Sequence, residues 1–371
     1  MKTNPNDADI AFMRQALREA RKGSGRTSPN PAVGAVIIRK GEVVSRGYHR
    51  QAGLPHAEVE ALKRLGNHCP GDTLYVTLEP CNHVGKTPPC TQAILKSGIQ
   101  RVVVGMKDPN PRVAGGGCEF LMAHGIDVTL GVLEAECQRL NEDFLVSVTD
   151  GRPFVIAKSA MTLDGWIATS GGHSKWITNE ASRAFVHRLR NRVDAVMVGI
   201  GTVLADDPSL TARLKRGKGK DPLRVIVDTH LRTPRNAKVV TQHSSADTLI
   251  VTGEGEETGD RDRFFGDGVS IITCPVRDGK IDLKILMKRL GEMSIMSLLV
   301  EGGAAITGAL LREKLIDKFY IFKAPKLLGG DDGIPMAAGP GPERMDDSLV
   351  LKEIRLRRFG DDTLITGYPS Y

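Results

Sequence analysis

The first part of the chain alternates between segments of helical and of strand periodicity. Apolar residues recur at helical spacing over residues 8–22, which predicts an amphipathic helix that ends at Gly23. Short apolar runs predict strands, and Lys40-Gly41 between two of them predicts a hairpin. The predicted strands are residues 33–38, 42–47, 73–78, 101–105 and 126–130, and the further helices are residues 56–65, 91–96 and 120–124. Strands that alternate with helices indicate an α/β layered domain.

A second α/β series follows a polar segment. Residues 140–153 leave a helix and pass through Asp150-Gly151-Arg152-Pro153, a composition typical of a turn, so we expect a domain boundary there. The strands predicted after it are residues 154–159, 195–199, 223–228, 248–252, 269–273, 297–301 and 318–324, and the helices are residues 180–191, 283–290 and 304–314. A chain of 371 residues exceeds what one core usually organises, which favours two domains, residues 1–147 and 152–371.

Composition narrows the class of protein. The chain is 40% hydrophobic and 26% charged, as expected for a globular protein. It has no apolar run of the roughly 20 residues that a membrane span needs, and its first residues are polar. We therefore expect a cytoplasmic enzyme without a membrane partner. Because no secretion signal is seen, we expect the six cysteines to bind metal or remain thiols rather than form disulfides.

The net charge of +7 does not by itself indicate nucleic acid. Aromatic residues make up only 5% of the chain, which argues against a surface that stacks single-stranded bases. The one dense basic cluster spans residues 213–220. It is interpreted either as a solvated loop or as a surface that attracts a phosphorylated small molecule.

The strongest chemical signal is a combination of His56-Ala57-Glu58 with two cysteines that each follow a proline, Cys81 and Cys90. One histidine and two cysteines are a ligand set for catalytic zinc, with the fourth position left for water. A nearby carboxylate that is not a ligand, here Glu58, can move protons between that water and a leaving amine. This arrangement is typical of zinc deaminases, although these cysteines lie nine residues apart rather than three.

Placement along the chain supports the same interpretation. Cys81 follows a predicted strand, and Cys90 precedes a predicted helix, whose N-terminus favours a thiolate. His56 and Glu58 are two residues apart, so we expect both to act from the first turn of their helix. Two alternatives remain open at this point. One is a nucleoside or tRNA-adenosine deaminase with an accessory domain, and the other is a nucleic-acid-binding protein with a structural zinc, which normally needs four protein ligands.

In the second domain the G-x-G-x-x-G fingerprint of dinucleotide-binding folds is absent. Instead the predicted strand 297–301 ends in Gly302-Gly303 before a helix. Glycines there let a phosphate approach the backbone N–H groups of the helix N-terminus, although such a pair is also common in a plain turn.

Several motifs together resemble the bifunctional riboflavin-biosynthesis deaminase/reductase family. The matching segments are residues 28–34, 56–58, 79–90, 107–111, 161–165, 201–208 and 300–303, and the long cysteine spacing is that family's own form. The resemblance implies a cytidine-deaminase-like first domain and a dihydrofolate-reductase-like second domain, each with three layers. It implies zinc and NADPH as cofactors, a phosphorylated pyrimidine as substrate, and a homo-oligomer, dimer or tetramer.

The resemblance also assigns residues. Near the deaminase substrate it places Asn30, His49, His83 and Lys86. Around the reductase substrate it places Ser174, Arg190, Leu210, Arg213 and Glu301, and Lys158 near the reaction centre. Toward NADP it places Ala160, Trp176, Thr202, Asp206 and the backbone of Gly303, Ala304, Ala305, Ile306 and Thr307. Arg190 and Arg213 suit a phosphate clamp. The alternatives are that Lys86 is a solvated loop residue, that Trp176 is a core residue and that His49 is a structural residue.

Overall fold

The computed structural model describes residues 6–83, 88–110, 116–217, 219–255 and 268–371. Its chain divides into two compact units, Met1–Gly151 and Arg152–Tyr371. Among the described residues, no helix combines the length and the apolar character that crossing a membrane would need.

The first unit contains six helices and five strands among its described residues. The helices are α1 (Asp7–Ala20), α2 (Ala57–Lys63), α3 (Cys90–Ser97), α4 (Gly117–Ala123), α5 (Glu134–Leu140) and α6 (Glu142–Asp150). The strands are β1 (Gly34–Arg39), β2 (Glu42–Tyr48), β3 (Thr73–Leu78), β4 (Arg101–Met106) and β5 (Asp127–Leu130).

These strands form one sheet in the order β2-β1-β3-β4-β5. β1 is antiparallel to β2 and β3, whereas β3, β4 and β5 are parallel. Two helices pack on the sheet without room for a side chain between the backbones. A Cβ atom at Gly34 would lie 2.1 Å from the Ala16 carbonyl oxygen of α1, and one at Gly47 would lie 2.2 Å from the Ala57 carbonyl oxygen of α2. Glycine at these two positions therefore lets α1 and the start of α2 lie close to the sheet.

The second unit has a larger sheet. Its strands are β6 (Phe154–Met161), β7 (Trp166–Ala168), β8 (Ala195–Gly199), β9 (Leu223–Val227), β10 (Thr248–Gly253), β11 (Val269–Cys274), β12 (Val276–Arg277), β13 (Lys280–Ile281), β14 (Ser297–Val300), β15 (Lys318–Lys323), β16 (Ile334–Pro335), β17 (Val350–Phe359) and β18 (Asp362–Ser370). Its helices are α7 (Glu180–Arg190), α8 (Ile200–Asp206), α9 (Lys238–Thr241), α10 (Leu283–Glu292) and α11 (Ala304–Arg312).

The order of the large sheet is β11-β10-β9-β8-β14-β6-β15-β18-β17. The strands from β11 to β15 run parallel, and β18 and β17 close the sheet as an antiparallel hairpin. Parallel strands have their carboxyl ends at one edge, where crevices for ligands form. β6, β8 and β14 are neighbours in this sheet. Of the predicted reductase residues, Ala160 lies near the end of β6, Thr202 follows β8 and Glu301 follows β14.

The α/β class predicted from periodicity is confirmed in both units. The structure also contains elements that the apolar pattern did not predict. Residues 142–150 form helix α6, so that only a short turn remains of the segment predicted as a boundary. The following elements were not predicted either: the helices α5, α8 and α9, the short strands β7, β12, β13 and β16, and the hairpin β17–β18.

Candidate functional site

Three metal-binding side chains meet beside the carboxyl end of β3. His56 immediately precedes α2, Cys81 follows β3, and Cys90 is the first residue of α3. Their donor atoms all lie within 4.8 Å of one another, and His56 Nδ1 is 3.2 Å from Cys90 Sγ and 3.5 Å from Cys81 Sγ. One imidazole nitrogen and two sulfurs suit zinc with one position left for water. The structure thus brings the three predicted ligands together.

The two sulfurs carry different charges. A hydrogen bond with the Cys90 side chain, aided by His56 and by the Cys90 amide 3.3 Å away, lowers the pKa of Cys81 to about 4. The hydrogen bond between the two thiols raises the pKa of Cys90, and the one from His56 to Cys81 raises the pKa of His56 to about 9. We expected the N-terminus of α3 to favour a thiolate at Cys90, but its first amide acts on Cys81 instead. Cys90 must lose its proton when a metal binds.

Glu58 presents a buried oxygen without a polar partner. It is the second residue of α2, its side chain is buried, and its Oε2 has no hydrogen bond among the described residues. Burial raises the pKa of Glu58, His56 opposes this, and the negative Cys81 adds to it. An unpaired buried oxygen costs stability, so a carboxyl group held this way beside the metal ligands indicates a chemical task. A carboxyl group that favours the protonated form can take up and return a proton.

His49 orients Asn30 beside this cluster. His49 Nδ1 is 3.1 Å from the Pro55 carbonyl oxygen and can only donate to it, so Nε2 accepts from Asn30 Nδ2 at 3.1 Å. Burial, followed by the charge of His56, lowers the pKa of His49, which the Pro55 contact opposes, so the ring is neutral. The rings of His49 and His56 lie edge to face, with centres 5.3 Å apart. The contact between His49 and Asn30 uses one N–H of the Asn30 amide and does not involve its amide oxygen.

Two further predicted substrate residues belong to the loop between the cysteines. His83 is exposed two residues after Cys81. Lys86 lies outside the described residues.

Glu79, which the sequence analysis did not single out, anchors the backbone between β3 and Cys81. Its buried carboxylate accepts hydrogen bonds from the backbone amides of Asp108 at 3.1 Å and of Cys118 at 3.0 Å. Asn82 adds a bond from the Thr91 hydroxyl at 2.8 Å, which ties the loop to α3. A charged residue directly after an apolar strand was the available signal for Glu79.

A chain of three charges, on largely buried side chains, lies in the second unit. Arg190, the last residue of α7, donates from Nε and Nη2 to the two carboxylate oxygens of Glu301 at 2.6 and 3.1 Å. Lys158 Nζ of β6 is 3.8 Å from Glu301 Oε2. Burial raises the pKa of Glu301, but the charges of Arg190 and Lys158 outweigh it and lower that pKa. Burial lowers the pKa of Lys158, and Glu301 only partly opposes this. An ionised glutamate therefore stands beside a lysine that loses its proton readily.

Arg190 has a different set of partners from the phosphate clamp that we predicted. Its third nitrogen, Nη1, donates to the Thr211 carbonyl oxygen at 3.1 Å, so that Arg190 connects Glu301 to the segment 209–213. Arg213 of this segment is exposed. Leu210 is 2% exposed and has a φ of 55°, so any substrate contact there would come from its backbone. Arg213 is the better placed of the two arginines for a phosphate.

Ser174 and Asp206, predicted for substrate and cofactor respectively, are also brought together. The Ser174 hydroxyl donates to Asp206 Oδ1 at 3.2 Å. Lys175 Nζ lies 3.8 Å from the same oxygen and donates to the Asp206 carbonyl oxygen at 3.2 Å. Asp206 therefore links the segment around residue 175 to the end of α8.

Two helix N-termini lie side by side where β8 and β14 end. Gly199 precedes α8 and Gly303 precedes α11, and Thr202 Oγ1 accepts a hydrogen bond from the Gly303 amide at 3.2 Å. A Cβ atom at Gly302 would lie 2.2 Å from Ile306 Cγ2, so this position has no room for a side chain. Ala304, Ile306 and Thr307 are buried and only Ala305 is exposed, which leaves backbone amides to meet a phosphate.

Trp176 is not a core residue. Its side chain is 62% exposed, and the Arg183 guanidinium lies 4.5 Å from its ring centre. Lys326 Nζ donates to the Trp176 carbonyl oxygen at 2.5 Å. Ala160 is half-buried against the apolar cluster that contains Val186 and Phe322. An exposed indole supported by a cation provides a flat surface for an aromatic ring.

Each of the two units matches a known protein family. Residues 6–106 match the family described as the cytidine and deoxycytidylate deaminase zinc-binding region, and residues 153–365 match the RibD C-terminal domain. The riboflavin biosynthesis protein RibD of Aquifex aeolicus is 43% identical over 97% of this chain and 98% of its own, and that of Escherichia coli is 38% identical over 96% and 98%. This chain belongs to the RibD family of riboflavin biosynthesis proteins.

Solved structures of the RibD family extend the match to three dimensions. The crystal structure of the diaminohydroxyphosphoribosylaminopyrimidine deaminase/5-amino-6-(5-phosphoribosylamino)uracil reductase of Thermotoga maritima superposes with a TM-score of 0.85 at 38% identity, covering 98% of this chain and 99% of that one. RibD of Acinetobacter baumannii gives a TM-score of 0.88 at 36% identity with the same coverage.

Membership of the RibD family makes the chain a bifunctional enzyme, a zinc-dependent deaminase and a reductase. The predicted family, fold class and enzyme class are confirmed. The alternative of a nucleoside or tRNA-adenosine deaminase is rejected, because residues 153–365 are a RibD reductase domain rather than an accessory domain.

Proposed function

We propose that the chain carries out two consecutive steps. Residues 1–147 remove the 2-amino group of 2,5-diamino-6-(5-phosphoribosylamino)pyrimidin-4-one as ammonia. Residues 152–371 then reduce the ribosyl group of 5-amino-6-(5-phosphoribosylamino)uracil to a ribityl chain at the expense of NADPH. The observation that carries the proposal is the convergence of His56, Cys81 and Cys90 on a buried carboxyl group, Glu58, whose Oε2 has no partner among the described residues.

In the deamination step His56, Cys81 and Cys90 hold zinc, which when bound activates water for attack on the amine-bearing carbon. Glu58 takes one proton from the attacking water and delivers it to a ring nitrogen. It then takes the second proton from the hydroxyl group that the attack leaves on the ring carbon and delivers it to the amine, which leaves as ammonia. Its raised pKa suits both directions of transfer. Asn30, held by the hydrogen bond from its amide N–H to His49, is proposed to read the edge of the ring with its side-chain amide. His83 and Lys86 are proposed to contact the substrate from the loop between the cysteines.

In the reduction step the substrate is an open-chain imine that needs a hydride and a proton. NADPH supplies the hydride when bound. Lys158 is the proposed proton donor, since burial lowers its pKa and makes the proton easier to transfer. Glu301 faces Lys158 and is kept ionised by Arg190, which suits it to hold the polyol hydroxyls of the sugar. Ser174, the Leu210 backbone and Arg213 complete the proposed substrate site.

The cofactor is proposed to lie along the paired helix N-termini. The backbone of residues 303–307 is proposed to meet its phosphates. Because the Gly303 amide donates to Thr202 Oγ1 and the Thr307 amide to the Gly303 carbonyl oxygen, the donors for the phosphates are the amides of residues 304–306. Asp206, which accepts a hydrogen bond from the Ser174 hydroxyl, is also proposed to contact the cofactor. Ala160 and the exposed face of Trp176 are proposed to contact its rings.

The two activities can be assayed separately in one sample. We expect ammonia from the diaminopyrimidinone without NADPH, and NADPH oxidation only after deamination. Replacing Glu58 by Gln should lower ammonia release about 10²- to 10⁴-fold, the usual contribution of a general acid–base group. NADPH oxidation with the deaminated substrate should stay unchanged.

The matched control is Glu60→Gln on the same helix, which should leave both rates near normal. Ammonia release by Glu58→Gln at the normal rate would remove Glu58 from the mechanism. Ammonia without any NADPH oxidation on the deaminated substrate would refute the reductase assignment.

We also propose that the enzyme is cytoplasmic and forms a homo-oligomer, a dimer or a tetramer. β17 is an edge strand of the large sheet and carries Val350, Ile354 and Leu356, each more than half exposed. Exposed apolar side chains on an unpaired edge support association with a second copy of the chain.

A further inference from the structure

His187 lies where the proposed phosphate-binding segment meets α7. It is half-buried, three residues before Arg190 on the same helix face. Its partners are the backbone groups of Thr211 and Arg213, whereas the sequence analysis and the family resemblance gave it no role. A role for His187 rests on the proposed function, in which Arg213 meets the substrate phosphate.

Two hydrogen bonds compete for one nitrogen of His187. Its Nδ1 is 3.2 Å from the Thr211 carbonyl oxygen, which could only accept, and 3.3 Å from the Arg213 amide, which can only donate. The Thr211 carbonyl already accepts from Arg190 Nη1 at 3.1 Å. Both backbone groups are therefore satisfied only when Nδ1 carries no proton and accepts from the Arg213 amide.

The surroundings favour that neutral ring. Burial lowers the pKa of His187, and the charges of Arg190 on α7 and of Arg213 in the facing segment lower it further. The Thr211 carbonyl and Glu301, which follows β14, oppose them only in part. His187 thus acts as a hydrogen-bond acceptor between two guanidinium groups.

Other hydrogen bonds hold the rest of the segment 209–213. Gln242 Nε2 donates to the Ser209 carbonyl oxygen at 2.6 Å, and Asp221 Oδ1 accepts from the Ala212 amide at 2.8 Å. Leu210 turns the backbone between them with a φ of 55°, a conformation that non-glycine residues rarely adopt. His187 differs from these partners because it bonds to the backbone amide of Arg213 itself. That bond therefore fixes the point from which the Arg213 side chain extends.

We infer that His187 is a positioning residue for the reductase, which holds the Arg213 backbone so that its guanidinium meets the 5′-phosphate of the substrate. His187 does not contact the reacting atoms in this account. It should therefore govern the affinity for the phosphorylated substrate and leave the chemical step alone.

The test compares His187→Ala with His187→Asn in the full-length enzyme. The Asn side chain can place an oxygen where Nδ1 lies, so it keeps the acceptor, whereas Ala removes it. We expect His187→Ala to raise the reductase KM for the phosphorylated uracil derivative about tenfold, the effect of losing one hydrogen bond, with kcat within about twofold. His187→Asn should restore most of the lost affinity. The Ki of inorganic phosphate as a competitor should rise in parallel in His187→Ala.

The same substrate without its phosphate, together with Arg213→Ala, separates the possible failures. The KM of the dephosphorylated substrate should be the same for wild type and His187→Ala. A KM that rises equally for both substrates, or a fall in kcat, would show a general structural role and overturn the inference. If Arg213→Ala raises the KM of the phosphorylated substrate but His187→Ala does not, only the inference about His187 is wrong. If Arg213→Ala does not change that KM, the proposed phosphate site is wrong and the inference falls with it.

Discussion

Glu58 and Lys158 are both enclosed by protein, and burial moves their pKa values in opposite directions. The pKa of the carboxyl group is raised and that of the ammonium group is lowered, so each exchanges its proton more readily near neutral pH than it would in water. Each also sits beside groups of opposite charge that limit the shift, His56 for Glu58 and Glu301 for Lys158. Each site therefore contains a group that exchanges a proton readily, a carboxyl group in the first unit and an ammonium group in the second.

The proton of Lys158 should be visible in the pH dependence of the reductase. Because the donor is the protonated form, it is present below its pKa and lost above it. The pKa lies below the ordinary 10.5, so kcat should fall with rising pH earlier than an exposed lysine would allow. Lys158→Met should be slower by about 10²-fold or more and should lose this limb of the profile. Its ammonia release at neutral pH serves as the control, and an unchanged alkaline limb in Lys158→Met would contradict the assignment.

Single residues could be predicted where their chemistry is distinctive. A histidine, a glutamate two residues later and two cysteines after prolines suffice to indicate a zinc deaminase. The pairing of Arg190 with Glu301 could not be predicted, because the two residues are 111 positions apart and nothing local to either one marks the other. The same holds for Glu79, whose partners are backbone amides of other segments.

At the level of elements, one buried charge pins α1 to the sheet of the first unit. Asp9 of α1 is 2% exposed, accepts from the Tyr75 hydroxyl of β3 at 2.7 Å and pairs with both terminal nitrogens of Arg101 of β4 at 2.9 and 3.0 Å. Burial raises the pKa of Asp9, but the hydrogen bonds from Arg101 and Tyr75 outweigh it and lower that pKa. The carboxylate is thus ionised where the helix crosses two strands.

Asp9→Asn should destabilise the first unit by about 2–4 kcal/mol at pH 7, because it leaves Arg101 without its main partner. Asp7 lies in the same helical turn and is exposed, so Asp7→Asn should change the free energy of unfolding by at most about 0.5 kcal/mol. A carboxyl group whose pKa is lower in the folded than in the unfolded protein stabilises the fold at pH values above its unfolded-state pKa. This stabilisation is lost as the pH falls through the folded-state pKa. The difference between Asp9→Asn and wild type in urea unfolding should therefore shrink in acid, and a constant difference would contradict this account.

The elements that could be predicted from the sequence are those whose apolar pattern is complete. The parallel strands β8, β9 and β10 are almost continuously buried and read as apolar runs. β17 could not be found this way, since it is exposed over most of its length and rich in charge. α8 was missed because it has seven residues and Gly201 within its first turn, too little for a periodic signal. The charged turn Gly360-Asp361 was the available sign of the hairpin β17–β18.

For the whole molecule, the exposed edge strand gives a prediction about assembly. Leu356 is 70% exposed on β17, and Leu327 is 69% exposed in a loop of the same unit. We expect Leu356→Glu to shift the mass measured by sedimentation toward the monomer, because a charge on a sheet edge opposes pairing with a second copy. Leu327→Glu makes the same chemical change away from the edge and should leave the mass unchanged. If both variants keep the wild-type mass, β17 is not the interface.

Zinc removal should separate the two activities, because the metal ligands belong to one unit. Among the described residues, the group of three side chains that could hold a metal is His56, Cys81 and Cys90, all in the first unit. Dialysis against a chelator should abolish ammonia release, and added zinc should restore it. NADPH oxidation with the deaminated substrate should keep its kcat and KM. Without any chelator, Cys90→Ser should show the same loss of ammonia release as the chelated wild-type enzyme. Since a bound metal stabilises the state that binds it, the first unit should also unfold at lower urea after chelation. A reductase rate that falls together with ammonia release would mean that the metal supports both units.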